Sequence, residues 1–312
     1  MFLFLPLFGL SQNYVDLLKV GYGQTFTNKF DGYPDETQTK SLDIDLTFPV
    51  VLNEDNALVT GVLFSRNNVT FLPRIDSPDP ASLYPDLTET RSVYTTILKL
   101  GLATTFNEKW SGTFVVLPKL ASDYQDLSGD DFFMGGVAIF KYKKKENLTY
   151  RFGWYAMGQA FGLFTTPIAG FYYLSPNKRF EMDISLPVAV DINYKFDTMA
   201  VGFDYFGIGR SFNLKTASAP NVYVDYGALE FAGYYQYGLL DNSVLLRAKI
   251  GYATNQFELY ERSDNVDLRI SAFNFGDDRR QINPDVSSGA FFKFEAIYRF
   301  KIPTKQSSEA NK

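Results

Sequence analysis

The sequence predicts an all-β protein, a transmembrane antiparallel up-and-down β-barrel of about 12 strands, within a range of roughly 10 to 14. Three observations predict this fold. Apolar and polar residues alternate with a period of two in many segments, which places neighbouring side chains on opposite faces of a strand. Short turns alternate with long polar loops. Aromatic residues make up 17% of the chain, although no apolar run reaches the roughly 20 residues of a membrane helix.

The composition excludes several classes of protein. The 312 residues include no Cys and no His, which excludes a disulfide framework, a thiol nucleophile, an imidazole base and an imidazole metal ligand. The net charge of −5 gives no attraction to a nucleic-acid backbone, so we expect no nucleic-acid partner. We also expect no enzymatic activity, no cofactor and no metal site.

The chain divides into three parts. Residues 1–12 (MFLFLPLFGLSQ) form an apolar stretch with small residues just before the expected cut, which predicts a signal peptide. A buried N-terminal strand is the alternative interpretation of this segment. Residues 13–300 predict a single barrel domain, and residues 301–312 form a polar C-terminal tail. An exported barrel predicts a location in a bacterial outer membrane.

The alternation predicts each strand in turn. In the second predicted strand, Leu42, Ile44 and Leu46 are apolar, whereas Asp43 and Asp45 between them are charged. The predicted strands are residues 15–26, 41–51, 57–71, 91–106, 110–122, 131–144, 148–161, 179–191, 198–211, 221–239, 243–259 and 289–300. An additional strand at 168–174, with a compensating strand near 265–272, would instead give about 14 strands, again an even number.

The connections indicate which end of the barrel is which. Residues 53–56, 107–109, 145–147 and 240–242 form short turns, whereas 28–40, 72–90 and 261–288 are long and polar. Outer-membrane barrels place their short turns in the periplasm and their long loops outside. A sheet in lipid cannot leave an edge with unsatisfied backbone groups, so the predicted strands must close into a barrel.

The last strand carries an expected assembly signal. Residues 292–300 (FKFEAIYRF) end in Tyr298 and Phe300, and they resemble the terminal strand of bacterial outer-membrane proteins. The chain also resembles a domain-of-unknown-function family of outer-membrane β-barrel proteins of diderm bacteria, on residues 180–187 (FEMDISLP), 248–252 (AKIGY) and 298–300 (YRF). The resemblance implies a barrel in the outer membrane, with lipid and the barrel assembly machinery as partners, and implies no activity.

The charged faces of the strands are expected to line the lumen, because the apolar faces are expected to meet lipid. The residues predicted to line the lumen are Asp43, Asp45, Lys99, Lys119, Lys141, Arg151, Glu181, Asp183, Arg247, Lys249, Lys293, Glu295 and Arg299. One interpretation is a small passive channel or transport pore for polar solutes. The alternative is that opposite charges pair and plug the lumen, so that any role in structure or surface binding belongs to the outside loops.

Other candidate chemistry is weaker. Asp43 and Asp45 share a strand face, as a pair of catalytic carboxylates would, but their position in a solvated lumen explains them more simply. The acidic residues between 123 and 131 offer oxygen ligands for calcium, but their spacing does not match a known calcium loop. We therefore predict no catalytic residues and no metal ligands.

Overall fold

The computed structural model describes residues 14–74 and 84–301. The predicted signal peptide at residues 1–12, the predicted tail beyond Lys301 and the middle of the loop at 72–90 lie outside the described residues. Within the described ranges, the chain contains no helix with the length and apolar character needed to cross a membrane. Most of the described residues belong to β-strands.

The strands are numbered in chain order. They are β1 (Tyr14–Thr25), β2 (Asn28–Lys29), β3 (Glu36–Thr37), β4 (Lys40–Val51), β5 (Asn56–Val69), β6 (Arg91–Thr105), β7 (Trp110–Val116), β8 (Lys119–Ser122), β9 (Phe132–Phe133), β10 (Gly135–Lys145), β11 (Leu148–Gln159), β12 (Gly162–Leu174), β13 (Phe180–Leu186), β14 (Ala189–Phe196), β15 (Met199–Thr216), β16 (Ala219–Leu239), β17 (Val244–Glu261), β18 (Val266–Ile270), β19 (Phe273–Asp277) and β20 (Gly289–Lys301). Short 3-10 helices occur at Pro85–Thr88 and Gly129–Asp131.

The sheet closes into an antiparallel barrel of 14 strands. β1 pairs with β20 on one side and with β4 on the other, so the first and last strands complete the circle. β7 and β8 both pair with β6 and together form one interrupted strand, and β9 leads directly into β10. Closure leaves the barrel without an open edge. The predicted all-β antiparallel barrel is therefore confirmed.

The expected number of about 12 strands is lower than the observed 14, and one reason is a hidden turn. The segment 179–191, predicted as one strand, is the hairpin of β13 and β14. Its turn at Pro187 and Val188 leaves the period of two undisturbed, because the apolar residues on both sides of it, such as Ile184 and Val190, occupy even positions. Hydrophobic alternation alone therefore gives no signal of this turn.

The second reason is β12, whose first half is apolar on both faces. Leu163 is 47% exposed and Phe164 is 6% exposed, so neighbouring apolar residues point in opposite directions and the alternation disappears. The alternative prediction of an additional strand at 168–174 matches only the second half of β12. Its proposed companion near 265–272 is wrong as a barrel strand, because β18 pairs with β19 in a hairpin within the loop that follows β17.

The outward face of the barrel is apolar. On β6, Leu98 and Leu100 are 46% and 51% exposed, whereas Ile97 and Lys99 are 3% and 0% exposed. Large exposed apolar side chains occur on most of the barrel strands. An apolar surface of this extent is typical of a surface that another apolar phase covers.

Two apolar clusters fill much of the lumen. The wall cluster lies along β5, β6, β7, β10, β11 and β12 and includes Leu63, Ile97 and Met157. The outer cluster joins the ends of β5 and β6 to β15, β16 and β17 and includes Phe212 and Val224. The inner face is therefore apolar over a large area, which the sequence did not predict.

The two ends of the barrel differ. The turn end carries the short connections before β5, β7, β11, β13, β15 and β17. The loop end carries the long connections before β4, β6 and β20, but it also carries the two-residue turns before β12, β14 and β16. β14 pairs with β15 only as far as Phe206. Beyond that point β15 leans across the barrel, and Asn213 pairs with Ser122 of β8. The β15–β16 hairpin thus narrows the lumen at the loop end.

A long connection also covers the loop end. Residues 262–288, which we call the strap, run from β17 to β12 and back to β20, and β18 pairs in parallel with β12. Arg269 and Arg279 of the strap both form ion pairs with Asp225 of β16. A shorter hairpin of β2 and β3, which we call the lid, joins the strap through an isolated bridge between Phe30 and Val286.

Candidate functional site in the lumen

A cavity of about 190 Å³, which we call the chamber, lies in the barrel towards its turn end. Inward side chains of β1, β4, β11, β13 to β17 and β20 form most of its lining. The lining is rich in ionisable groups of both signs. They are the carboxylates Asp16, Asp43, Asp45, Glu181, Asp183, Asp191, Asp204, Glu230 and Glu295, and the bases Lys19, Arg151, Lys195, Arg247, Lys249, Lys293 and Arg299.

Ion pairs line the chamber at the turn end. Nε and Nη2 of Arg299 donate to the two carboxylate oxygens of Asp16 at 2.5 and 2.9 Å. Nζ of Lys195 lies 2.6 Å from Oε2 of Glu181, and the hydroxyl of Tyr172 donates to Oε1 of Glu181 at 2.6 Å. Charge-assisted hydrogen bonds of this length hold their side chains in fixed positions.

Glu295 is the most highly connected carboxylate of the chamber. Its side chain is 1% exposed, and Nζ of Lys19 lies 2.9 Å from Oε1. Lys249 and Arg247 approach Oε2 at 3.2 and 3.9 Å. Lys249 also forms an ion pair with Asp204. A buried carboxylate needs such partners, because an unpaired charge in a low-dielectric interior is costly.

Arg247 lies at the centre of a second network. Its Nη1 is 3.1 Å from Oδ2 of Asp191, and its Nε and Nη2 donate to Oε1 of Gln236 at 3.0 and 2.8 Å. The guanidinium group lies 4.0 Å from the ring centroid of Tyr234, whose hydroxyl donates to Asp191 at 2.6 Å. Arginine is suited to this position because its planar group binds carboxylates and stacks on rings.

The structure brings most of the predicted lumen residues together. Ten of the thirteen line the chamber, namely Asp43, Asp45, Arg151, Glu181, Asp183, Arg247, Lys249, Lys293, Glu295 and Arg299. Their charges are largely paired. For example, Nη1 of Arg151 lies 2.6 Å from Asp183 and donates to Ser185 at 3.0 Å.

The other three predicted residues point inwards but do not line the chamber. Lys99 is fully buried and is bound by Asp45 and Thr47. Nζ of Lys119 donates to Gln159 at 2.5 Å. Lys141 is 4% exposed and lies opposite Arg151 on the neighbouring strand. Lys99 and Lys141 therefore lie next to the chamber residues Asp45 and Arg151 without lining the chamber themselves.

Several chamber residues were not predicted from the sequence. Asp191 and Lys195 follow the hidden turn before β14, where the predicted strand ended. Asp204 lies on the inner face of β15, so the period of two offers a signal for it. Tyr234 lies inwards on β16, whereas aromatic residues of a barrel strand are expected on the outward face.

The acidic residues of the loop after β8 stabilise that loop. Asp131 is bound by Lys215 at 3.0 Å and by Asn213, and Asp123 accepts the backbone N–H of Lys215 at 2.9 Å. Burial alone would raise the pKa of Asp131, but the hydrogen bonds from Ser128 and Lys215 outweigh it and lower this pKa. Within residues 14–74 and 84–301 no cluster of three or more acidic side chains is arranged to hold a metal ion.

Tyr298 and Phe300, the expected assembly signal, lie on the outward face of β20. They are 47% and 48% exposed and pair with Leu18 and Val15 of β1. Both are therefore on the surface near the turn end, at the junction where the barrel closes.

One family model, of unknown function, matches part of the chain. The model of a domain of unknown function (DUF6268) matches residues 87–203, which agrees with the resemblance to such a family. No curated protein sequence matches the chain.

Solved structures similar to this chain include outer-membrane barrels. The toluene transporter TodX of P. putida is 9% identical, with 92% of this chain and 89% of that chain covered and a TM-score of 0.40. OmpT, an outer-membrane protein of Vibrio cholerae, is 10% identical, with 93% and 98% covered and a TM-score of 0.28. Acinetobacter baumannii OccAB4 is 10% identical, with 91% and 96% covered and a TM-score of 0.27. These similarities are too weak to support a functional argument.

Proposed function

We propose that the protein is an outer-membrane barrel and a transport pore for small polar or charged solutes. The chamber carries this proposal, because its ionisable groups of both signs surround space inside the lumen. A pore whose walls carry fixed charges and hydrogen-bonding groups replaces part of the hydration shell of a polar solute.

A membrane location is supported by the distribution of polarity across the wall. On β20, Phe294 and Tyr298 are 57% and 47% exposed on the outward face, whereas Glu295 is 4% exposed on the inward face. Apolar residues facing outwards and charges facing inwards are the arrangement of a barrel in lipid. The predicted signal peptide and the aromatic end of β20 support export and assembly by the barrel machinery.

The lid and the strap lie at the loop end, so we expect transport to require their movement. The lid begins three residues after Thr25 and ends two residues before Thr39. It is held by the strap, where Asp31 N–H donates to Asp285 O at 2.8 Å and Ser287 N–H donates to Lys29 O at 2.9 Å. These bonds lie in an outside loop, where local opening costs less than unfolding of the barrel.

The test is single-channel conductance of the full chain in a planar bilayer, beside a variant in which residues 28–37 are replaced by a Gly-Ser linker. We expect small or rare conductance steps for the wild type and a severalfold increase for the trimmed variant. A heat-dependent gel shift confirms that both are folded. Silence from both folded proteins would refute the transport proposal.

The alternative function is a plugged barrel that acts through its outside loops. The two apolar clusters and the crossing β15–β16 hairpin favour it, because they leave little open space at the loop end. In that case trimming the lid leaves conductance at zero, whereas removal of the strap abolishes binding of a surface partner.

A further inference from the structure

A second, smaller cavity lies beyond the chamber towards the loop end. Its volume is about 30 Å³, and its lining is mostly polar, with uncharged residues such as Thr25, Thr39 and Asn67 beside four charged ones. The positions along β1 establish the order of the two cavities, because Gly21 lines the chamber and Gly23 lines the smaller cavity. The smaller cavity therefore lies between the chamber and the lid.

The two cavities share the charged residues Asp43, Glu230 and Lys293 in their linings. Arg210 lines the smaller cavity next to them. We call these four residues the constriction. They bring two positive and two negative side chains to the boundary between the cavities.

Contacts within the constriction hold its charges close together. Nζ of Lys293 lies 3.1 Å from Oδ2 of Asp43, and Nη2 of Arg210 lies 3.6 Å from Oδ1 of the same residue. Ser65 donates to Asp43 at 2.7 Å and accepts from Nη1 of Arg210 at 2.6 Å. Among the described residues, Glu230 has no basic partner within 4.0 Å.

A polar solute that crosses the lumen is expected to pass this boundary between the two cavities. The wall cluster and the outer cluster occupy much of the remaining lumen, and a charged solute cannot cross packed apolar side chains without losing its hydration. The constriction lies beside β1, β4 and β20, where inward residues such as Thr25, Ser41 and Lys293 are polar. Fixed charges at a narrow, partly desolvated point act on a passing ion more strongly than charges in a wide vestibule.

We propose that Asp43, Arg210, Glu230 and Lys293 determine the charge selectivity of the lumen. The proposal rests on the transport function proposed above. It assigns small inorganic ions, and small organic ions that carry groups of either sign, as the solutes that this boundary discriminates. Loss of an acidic member favours anions, and loss of a basic member favours cations.

The experiment measures reversal potentials in a KCl gradient, for the full chain and for the lid-trimmed variant. Asp43→Asn is expected to lower the K⁺/Cl⁻ permeability ratio about tenfold, and Lys293→Gln is expected to raise it about tenfold, because the unit charge that is removed acts on a passing K⁺ and a passing Cl⁻ with opposite signs. The double variant is expected to return the ratio to near its original value.

A third variant tests the proposal in case Asp43→Asn does not fold. Asp43→Asn leaves two basic side chains without their carboxylate, whereas Glu230→Gln breaks no ion pair and is expected to lower the ratio severalfold in a folded barrel. Glu146→Gln is the matched control, because Glu146 is 88% exposed at the turn end. Its ratio is expected to stay within about twofold of the wild type.

The outcomes separate the two proposals. Conductance with a ratio that does not move in Glu230→Gln, Lys293→Gln or Asp43→Asn would overturn the role of the constriction and leave the transport function intact. No conductance from either the wild type or the lid-trimmed variant would overturn both.

Discussion

Replacement of Asp225 by Asn should release the strap from the barrel. Both oxygens of Asp225 are bound by Arg269, at 3.0 and 2.6 Å, and Oδ2 is also bound by Arg279 at 2.9 Å. The side chains of Asp225 and Arg279 are only 3% and 2% exposed. The two guanidinium groups stack on Phe161 and Tyr260, each 4.0 Å from the ring centroid. The substitution removes the shared negative charge and leaves the rest of this packing in place.

The size of the effect follows from the burial of these groups. Removal of one partner from a buried ion pair costs about 3–5 kcal/mol. Arg279 retains its bond to Asp277 and Arg269 retains its bond to Asn274, so we take the lower end of this range. A cost of about 3 kcal/mol raises the population of the open strap roughly 150-fold, at 1.4 kcal/mol for each factor of ten.

Limited proteolysis measures this opening. Trypsin cuts after Arg269 only when the strap is open, so the cleavage rate follows the open population when closing is fast. The matched control is Asp130→Asn, which breaks the Arg262–Asp130 pair of the same strap at a carboxylate that is 66% exposed. An exposed pair contributes about 0–1 kcal/mol, so the control should change the rate by less than roughly fivefold. Equal cleavage rates for the two variants would refute the assignment of Asp225 as the anchor of the strap.

Three further predictions test the loops, the wall and assembly. The hydrogen bond from the backbone N–H of Ser218 lowers the pKa of Asp86 below its ordinary value of 3.8. The stability that this bond gives the loop is therefore present above pH 4 and is lost as the pH falls through the lowered pKa. Hydrogen exchange at the Ser218 amide, corrected for the intrinsic rate, should accelerate only below about pH 4, and acceleration between pH 5 and 7 would contradict this. Gly170→Ala should destabilise the barrel by about 1–3 kcal/mol in heat-dependent gel shifts, because a Cβ at this position lies 1.9 Å from the carbonyl oxygen of Ile184. Gly233→Ala is the control, because a Cβ at that position has open space around it, and its stability should stay within about 0.5 kcal/mol of the wild type. Equal shifts for the two variants would refute the steric argument. Phe300→Ser should reduce the amount of assembled barrel in the outer membrane more than Phe294→Ser, although both side chains are outward on β20, and an equal reduction would remove the special role of the terminal aromatic.

The closed barrel was predictable because its wall obeys one rule. An apolar outer face and polar residues on the inner face give a period of two, which is clear on β6, β13 and β20. Where both faces are apolar, as at Leu163 and Phe164 of β12, the rule gives no signal. At the turn at Pro187, the apolar residues before and after the turn occupy positions of the same parity. The alternation therefore runs through the hairpin without interruption, and the pattern predicts one strand where there are two.

The chamber was predictable as a set of charged residues but not as a set of contacts. Alternation shows that Asp43 and Lys293 point inwards, yet they are 250 residues apart in sequence, and only closure of β1 onto β4 and β20 brings them together. The pairing of Arg210 with Asp43 depends on the inward lean of β15, which no pattern in the sequence of one strand reports.

The apolar clusters reduce the space in which the charged residues of the lumen can act on a solute. The diameter of a barrel grows with its number of strands. In this barrel of 14 strands, large apolar side chains such as Phe212 and Met157 point inwards and occupy part of the interior. Most of the charged groups of the lumen lie in the chamber and the constriction, where they face each other across short distances. A single substitution at the constriction therefore changes the field along the whole remaining polar route. The same substitution in a wide, water-filled barrel would be screened within a Debye length of about 8 Å.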